Sequence, residues 1–256
     1  MLRSRFPTLL LALLFACDRA GNRQPDSARA AMPDSIRPSG AQVESLPPDV
    51  PAFAEVDIDT LRVTIDRLEA RLGRASEAQR PRALFELGRA KKLFHPDART
   101  PLGDYAKARP TEFFFNEVGG NYLYTGKHFK EIVERYPGHE LVDDAEYEMT
   151  LLPMGGECEG FTTCYIGATW NDVAPFLKRH PTSPYASRGL DRAVAAFTAA
   201  LKDIPDLARP TESYDPRELR GLLASFDSVR TVLRPPLKTR ADSLSDALWS
   251  RVGRGQ

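Results

Sequence analysis

The stretch Ile58-Asp59-Thr60-Leu61-Arg62-Val63-Thr64-Ile65-Asp66-Arg67-Leu68-Glu69-Ala70-Arg71-Leu72 decides the fold class. Its apolar residues at 58, 61, 65, 68 and 72 recur at steps of three and four, which lays them along one stripe of a helix. That helix closes near Gly73. The same period continues outward along the chain. A second helix opens around Ser76 or Pro81, carries Leu84, Leu87, the Lys91 stem and Phe94, and stops at His95-Pro96. Ser183-Pro184 starts another to about Lys202, and Asp215-Pro216 one to about Leu233, because a polar cap followed by proline suits the first helical turn. A last helix runs from about Pro236 to Val252. The aromatic run from Phe113 to Tyr124 also reads as a helix, with Phe115, Val118 and Tyr122 toward the core. No segment offers the period-two alternation of consecutive strands. The expected fold is therefore all-α, built as stacked antiparallel helical hairpins over residues 53–256.

Two segments within this region align. Phe129 to Pro137 matches the segment from Trp170 that ends in Phe176-Leu177-Lys178-Arg179-His180-Pro181. Each is followed by a polar turn and a second helix, with a small residue, Ala145 or Gly189, eight positions after the proline. The proline-to-proline period is 44, about ten longer than a tetratricopeptide unit. The excess corresponds to a Gly- and Cys-bearing loop over 154–168, after which Trp170 is expected to open a helix. Phe115-x2-Val118-Gly119-x2-Tyr122-x3-Gly126 fits the first helix of a further repeat. Residues 112–200 thus resemble the tetratricopeptide-like (TPR-like) lipoproteins of the bacterial envelope, among them the outer-membrane assembly and cell-envelope coordination families. The resemblance implies an α-solenoid that binds a protein or peptide partner. The C-terminal helices over 216–252 are expected to cap the stack, with pairing to another chain as the alternative.

Cys158 and Cys164 stand six apart in Gly155-Gly156-Glu157-Cys158-Glu159-Gly160-Phe161-Thr162-Thr163-Cys164. In an exported chain this spacing reads as a disulfide that pins the loop. Zinc would need more ligands than the pair offers, and His95, His128, His139 and His180 stand singly, so no metal is expected. The spacing is also not that of a Cys-x-x-Cys redox motif.

Four residues are candidates for partner contact: Phe114, Asn121 and Tyr124, which a helix over 113–124 would turn away from its core stripe into a groove, and Trp170, a residue type favoured at interface anchors. Packing between helix layers is the alternative role for each. The acidic set Glu140, Asp143, Asp144, Glu146 and Glu148 reads as a solvated helix start, where carboxylates offset the positive end of the dipole.

The N-terminus carries an address. Arg3 and Arg5 precede the apolar run Phe6 to Phe15, a signal peptide over 1–16, and Leu14-Phe15-Ala16-Cys17 resembles a lipobox with Cys17 as the lipidated residue. The alternative is a soluble export signal with an incidental cysteine. Acyl chains would anchor the mature chain to a membrane without spanning it. Residues 17–52 hold no aromatic side chain and have prolines at 25, 33, 38, 47, 48 and 51, the composition of a disordered tether with a coil span of about 30–35 Å.

The 256 residues carry 35 basic and 35 acidic side chains, which leaves no basic footprint for nucleic acid. The sequence holds no Gly-x-Ser-x-Gly, P-loop, Gly-x-Gly-x-x-Gly or His-Glu-x-x-His motif. The expectation is a non-catalytic, cofactor-free scaffold, lipid-anchored in the cell envelope and facing the periplasm or exterior, that binds a protein or peptide. The alternatives are a periplasm-side cell-wall hydrolase and a small-molecule-binding lipoprotein, the latter with a closed apolar cavity in place of an open groove.

Overall fold

The computed structural model describes residues 57–153 and 157–253. The signal peptide, the Cys17 lipidation site and the tether lie outside the described residues. Among the described residues, nine helices and one β-hairpin follow in the order α1 (Ile58–Arg74), α2 (Arg80–Lys92), α3 (Pro101–Lys107), β1 (Phe113–Asn116), β2 (Asn121–Tyr124), α4 (Lys127–Arg135), α5 (Val142–Thr150), α6 (Thr162–Arg179), α7 (Ala186–Leu201), α8 (Pro216–Arg230) and α9 (Leu237–Val252). The protein is mostly helical, as the periodicity implies. Local chemistry sets several starts. Asp57 accepts the Asp59 and Thr60 amides at the head of α1, and Asp215 accepts the Arg217 amide at the head of α8. Proline occupies the first turn of α2, α3 and α8, where its missing N–H costs nothing.

The segment from Phe113 to Tyr124 is not a helix. It forms an antiparallel hairpin in which Phe113 faces Tyr124, Phe114 faces Leu123, Phe115 faces Tyr122 and Asn116 faces Asn121. Bulky aromatics favour the pleated chain, and Gly119-Gly120 supplies the reversal, with Gly120 in the left-handed region at φ 63°. A Cβ on Gly119 would fall 2.5 Å from the Asn121 Oδ1. Phe115 and Val118, expected in the core, are 48% and 57% exposed toward the turn end of the hairpin, while Phe113 packs edge-on to Phe94 and Tyr105. The backbone of β2 also bonds outward to the 96–98 segment, through Tyr122 N–H to the Pro96 carbonyl and Ala98 N–H to the Gly120 carbonyl.

A second correction concerns the cysteine loop. Helix α6 begins at Thr162, so much of the expected 154–168 loop is its first two turns and Trp170 lies in mid-helix. Cys158 and Cys164 are joined, with Cα atoms 5.4 Å apart. Thr162 N–H bonds to the Ser213 carbonyl, which ties the head of α6 to the segment leading into α8.

Apolar side chains gather into two cores. One is formed by α1, α2, the hairpin and α4, with Ile65, Leu84, Phe94 and Phe129 fully buried. The other is formed by α6 to α9, with Trp170, Phe176, Phe197 and Phe226 at its centre. Helix α5 serves both, giving Ala145 to the first and Tyr147 to the second. It packs on both α4 and α6.

The residues of α5 between those apolar contacts are charged and buried. Glu148 binds the Lys92 ammonium, which is 2% exposed, and lies 3.2 Å from Arg89 Nε. Glu146 accepts from Arg179 Nε at 2.7 Å. Thr150 accepts from Arg192 through both its hydroxyl and its carbonyl. Asp143 and Asp144 do occupy the first turn of α5, as expected. Glu146 and Glu148 depart from the expected solvated face because cations on α2 and α6 meet them, and a buried carboxylate persists only with such partners.

Candidate binding groove

An open groove of about 450 Å³ runs along the face of α5 that carries Glu146, Met149 and Thr150. Lys130 of α4 and Phe114 of β1 contribute from one side, and Asn171, Asp172, Pro175 and Arg179 of α6 from the other. Met149, Leu152, Pro153 and Phe176 add apolar surface between them. The glycine before α4 bears on this wall, since a Cβ on Gly126 would fall 2.7 Å from Leu152 Cδ1, and Gly126 itself holds φ at 80°.

Pro175 gives the α6 wall a backbone feature. A proline inside a helix cannot supply the N–H that the carbonyl four residues earlier would receive. Here that carbonyl belongs to Asn171, and both residues line the groove. The Asn171 carbonyl therefore lacks its regular helical donor, in a wall lined also by Asp172. Loss of solvation raises the Asp172 carboxyl above the usual range, and the nearby Arg192 guanidinium offsets part of that rise. Arg179 is held by Glu146, and His180 at the end of α6 places Nδ1 2.7 Å from Asp143.

Of the four residues singled out from sequence, Phe114 lines the groove and Tyr124 reaches it from the core, where its side chain is 1% exposed. The Tyr124 hydroxyl receives the His128 backbone N–H at 2.7 Å and lies 2.8 Å from His128 Nδ1. Asn121 stands at the turn end of the hairpin, bonded to the Asn116 side chain at 3.1 Å, and Trp170 is buried against Phe226 with its indole N–H on Ser225 Oγ at 3.0 Å. The structure thus brings Phe114 and Tyr124 together and leaves Asn121 and Trp170 elsewhere. Sequence reasoning missed Met149, Leu152, Asn171 and Pro175. Pro175 was the available signal, a proline within an apolar-periodic stretch.

These features define a class, a mostly helical protein with an open, partly apolar groove bordered by polar groups. No protein-family model matches the chain, and no curated protein matches it. Among the described residues no helix is long and apolar enough to cross a membrane, and no group of three or more His, Cys, Asp or Glu side chains could hold a metal ion.

Proposed function

We propose that this chain is a lipid-anchored envelope protein whose helical hairpins form a non-catalytic scaffold, and that the groove along α5 receives an extended segment of a protein or peptide partner. The single observation that carries the reading is the groove itself: apolar side chains of four elements flanked by an amide and charged groups, the mixture that holds a peptide's side chains and backbone together. The pairing of α4 with α5 and of α6 with α7 supports a TPR-like arrangement of two repeats. So does the placement of the small residues. Ala145 is fully buried, and a Cβ on Gly189 would stand 3.5 Å from Leu177 and Phe176, an ordinary packing distance against the first helix of its pair. The anchor rests on Leu14-Phe15-Ala16-Cys17 and the tether on the composition of 17–52.

The test is a photo-cross-linking side chain placed at Asn171 in the full-length protein in its native envelope, beside the same probe at the exposed Val63 on α1 and a Cys17→Ala form. Adducts to a discrete protein at 171, absent at 63 and depleted without the lipid anchor, are expected. Identical adducts at both positions would overturn the groove as the binding surface.

A further inference from the structure

A second depression adjoins the groove at Lys130. Lys130 and Thr125 also line this basin of about 580 Å³, so the two depressions share a wall at these residues. The charged side chains of the basin are Arg80, Lys127, Lys130 and Arg135 against Glu131 and Glu134, and Thr111 and Thr125 add hydroxyls. Of the two basin carboxylates, Glu131 is already shared, while Glu134 meets no cation at ion-pair distance among the described residues. Glu131 takes both Arg80 Nη2 at 3.2 Å and Arg135 Nη1 at 3.0 Å. Glu112, just beyond the basin, takes Lys127 Nζ at 3.2 Å together with the buried Lys91 ammonium. Lys130 is exposed and meets no carboxylate at ion-pair distance among the described residues, Glu134 one turn along its own helix included. The groove is therefore partly apolar, and the lining of the basin beside it holds four cationic side chains against two carboxylates.

We propose that the occupant is an extended peptide segment in which apolar residues are flanked on one side by Asp or Glu. Its apolar side chains would lie against Met149, Leu152 and Pro153, and its carboxylates would meet Lys130 with the Thr111 and Thr125 hydroxyls beside it. This inference rests on the groove being a peptide site and adds the chemistry that selects among peptides. The chain as a whole has no net charge, so long-range steering contributes little, and the preference comes from local pairing at the basin.

The test is selection of a random 12-residue peptide display library on the purified full-length chain, followed by fluorescence anisotropy of the enriched peptides on the same protein and on Lys130→Glu. Enriched sequences that place Asp or Glu on one flank of an apolar pair, with affinity about ten-fold weaker for Lys130→Glu, are the expected result. Enrichment of apolar residues without acidic bias, at affinities that Lys130→Glu leaves unchanged, overturns the acidic preference while the groove stands as a peptide site. No enrichment over a support without protein removes the groove reading and this inference with it.

Discussion

Acid should unfold this protein through one buried histidine. His128 sits at the start of α4, buried beneath the Tyr124 hydroxyl, in the core that α2, the hairpin and α4 build together. Burial depresses its pKa from 6.5 to about 4, and the positive Lys91 ammonium adds to the shift, with Glu112 opposing it. The imidazole is therefore neutral in the fold over a range where the unfolded chain binds a proton. The sign follows: stability from this group is complete above pH 6.5 and is lost as pH falls toward 4. Between pH 7 and pH 4.5 the difference in proton uptake corresponds to about 2 kcal/mol, at 1.36 kcal/mol per pKa unit. Urea denaturation of the full chain at several pH values, followed by tryptophan fluorescence, reads this directly. His128→Gln removes the titration and leaves an amide within reach of the Tyr124 hydroxyl. The variant should be less stable than the parent at pH 7, and the gap should close by about 2 kcal/mol at pH 4.5. The carboxylates Glu69 and Glu112, which pay for burial but are held below their usual range by Lys91, also contribute acid sensitivity, and because the His128 charge is among the causes that lower Glu112, the comparison reads His128 together with its coupling to Glu112. Parallel stability curves for parent and variant across this range would refute the reasoning.

Two further outcomes test packing and charge. Gly88 and Gly221 both lie within helices, yet alanine should act with opposite signs at the two. At 88 the Cβ would fall 2.7 Å from the Phe129 ring, itself wedged against Phe85 and Tyr124, so overpacking should exceed the helix-propensity gain and cost about 1–2 kcal/mol; at 221 nothing lies within 4 Å, and alanine should stabilise by about 0.5–1 kcal/mol in the same denaturation assay. Glu148→Gln keeps the shape but leaves the buried Lys92 ammonium without a counter-charge, and should cost about 3 kcal/mol at pH 7; a loss under 1 kcal/mol would mean that water reaches the pair.

How much of this was legible in the sequence depends on where each signal resides. Helices α1, α8 and α9 were readable because each buries a single stripe against one core and starts at a residue whose chemistry fits a helix end. The hairpin was not. A strand announces itself by alternation, and alternation requires one wet face. Phe113 enters the core, Phe114 borders the groove and only Phe115 is exposed, so three aromatics in a row carry no period. Gly119 fits the helical repeat pattern over this stretch as well as it fits a turn, so the glycine pair does not by itself signal the reversal. The cysteine loop was misjudged for a related reason: Thr162 and Thr163 are weak helix formers, and the α6 head is held by the disulfide and by the Ser213 carbonyl, a partner some fifty residues away. Phe114 borders the groove although the helix expected to turn it there does not form. Its neighbours there come from α5 and α6, and their convergence is a property of long-range packing that no local pattern encodes.

Helix α5 has only nine residues, yet each core loses a wall if it leaves. Its length is too short to hold helical form on its own, so it depends on both neighbours as much as they depend on it. The two halves of the protein are thereby bound to a common fate: whatever loosens one withdraws support from the other, and whatever settles against the exposed side of α5 braces both at once. A small helix placed in this way makes an otherwise divisible chain respond to its surroundings as a single body.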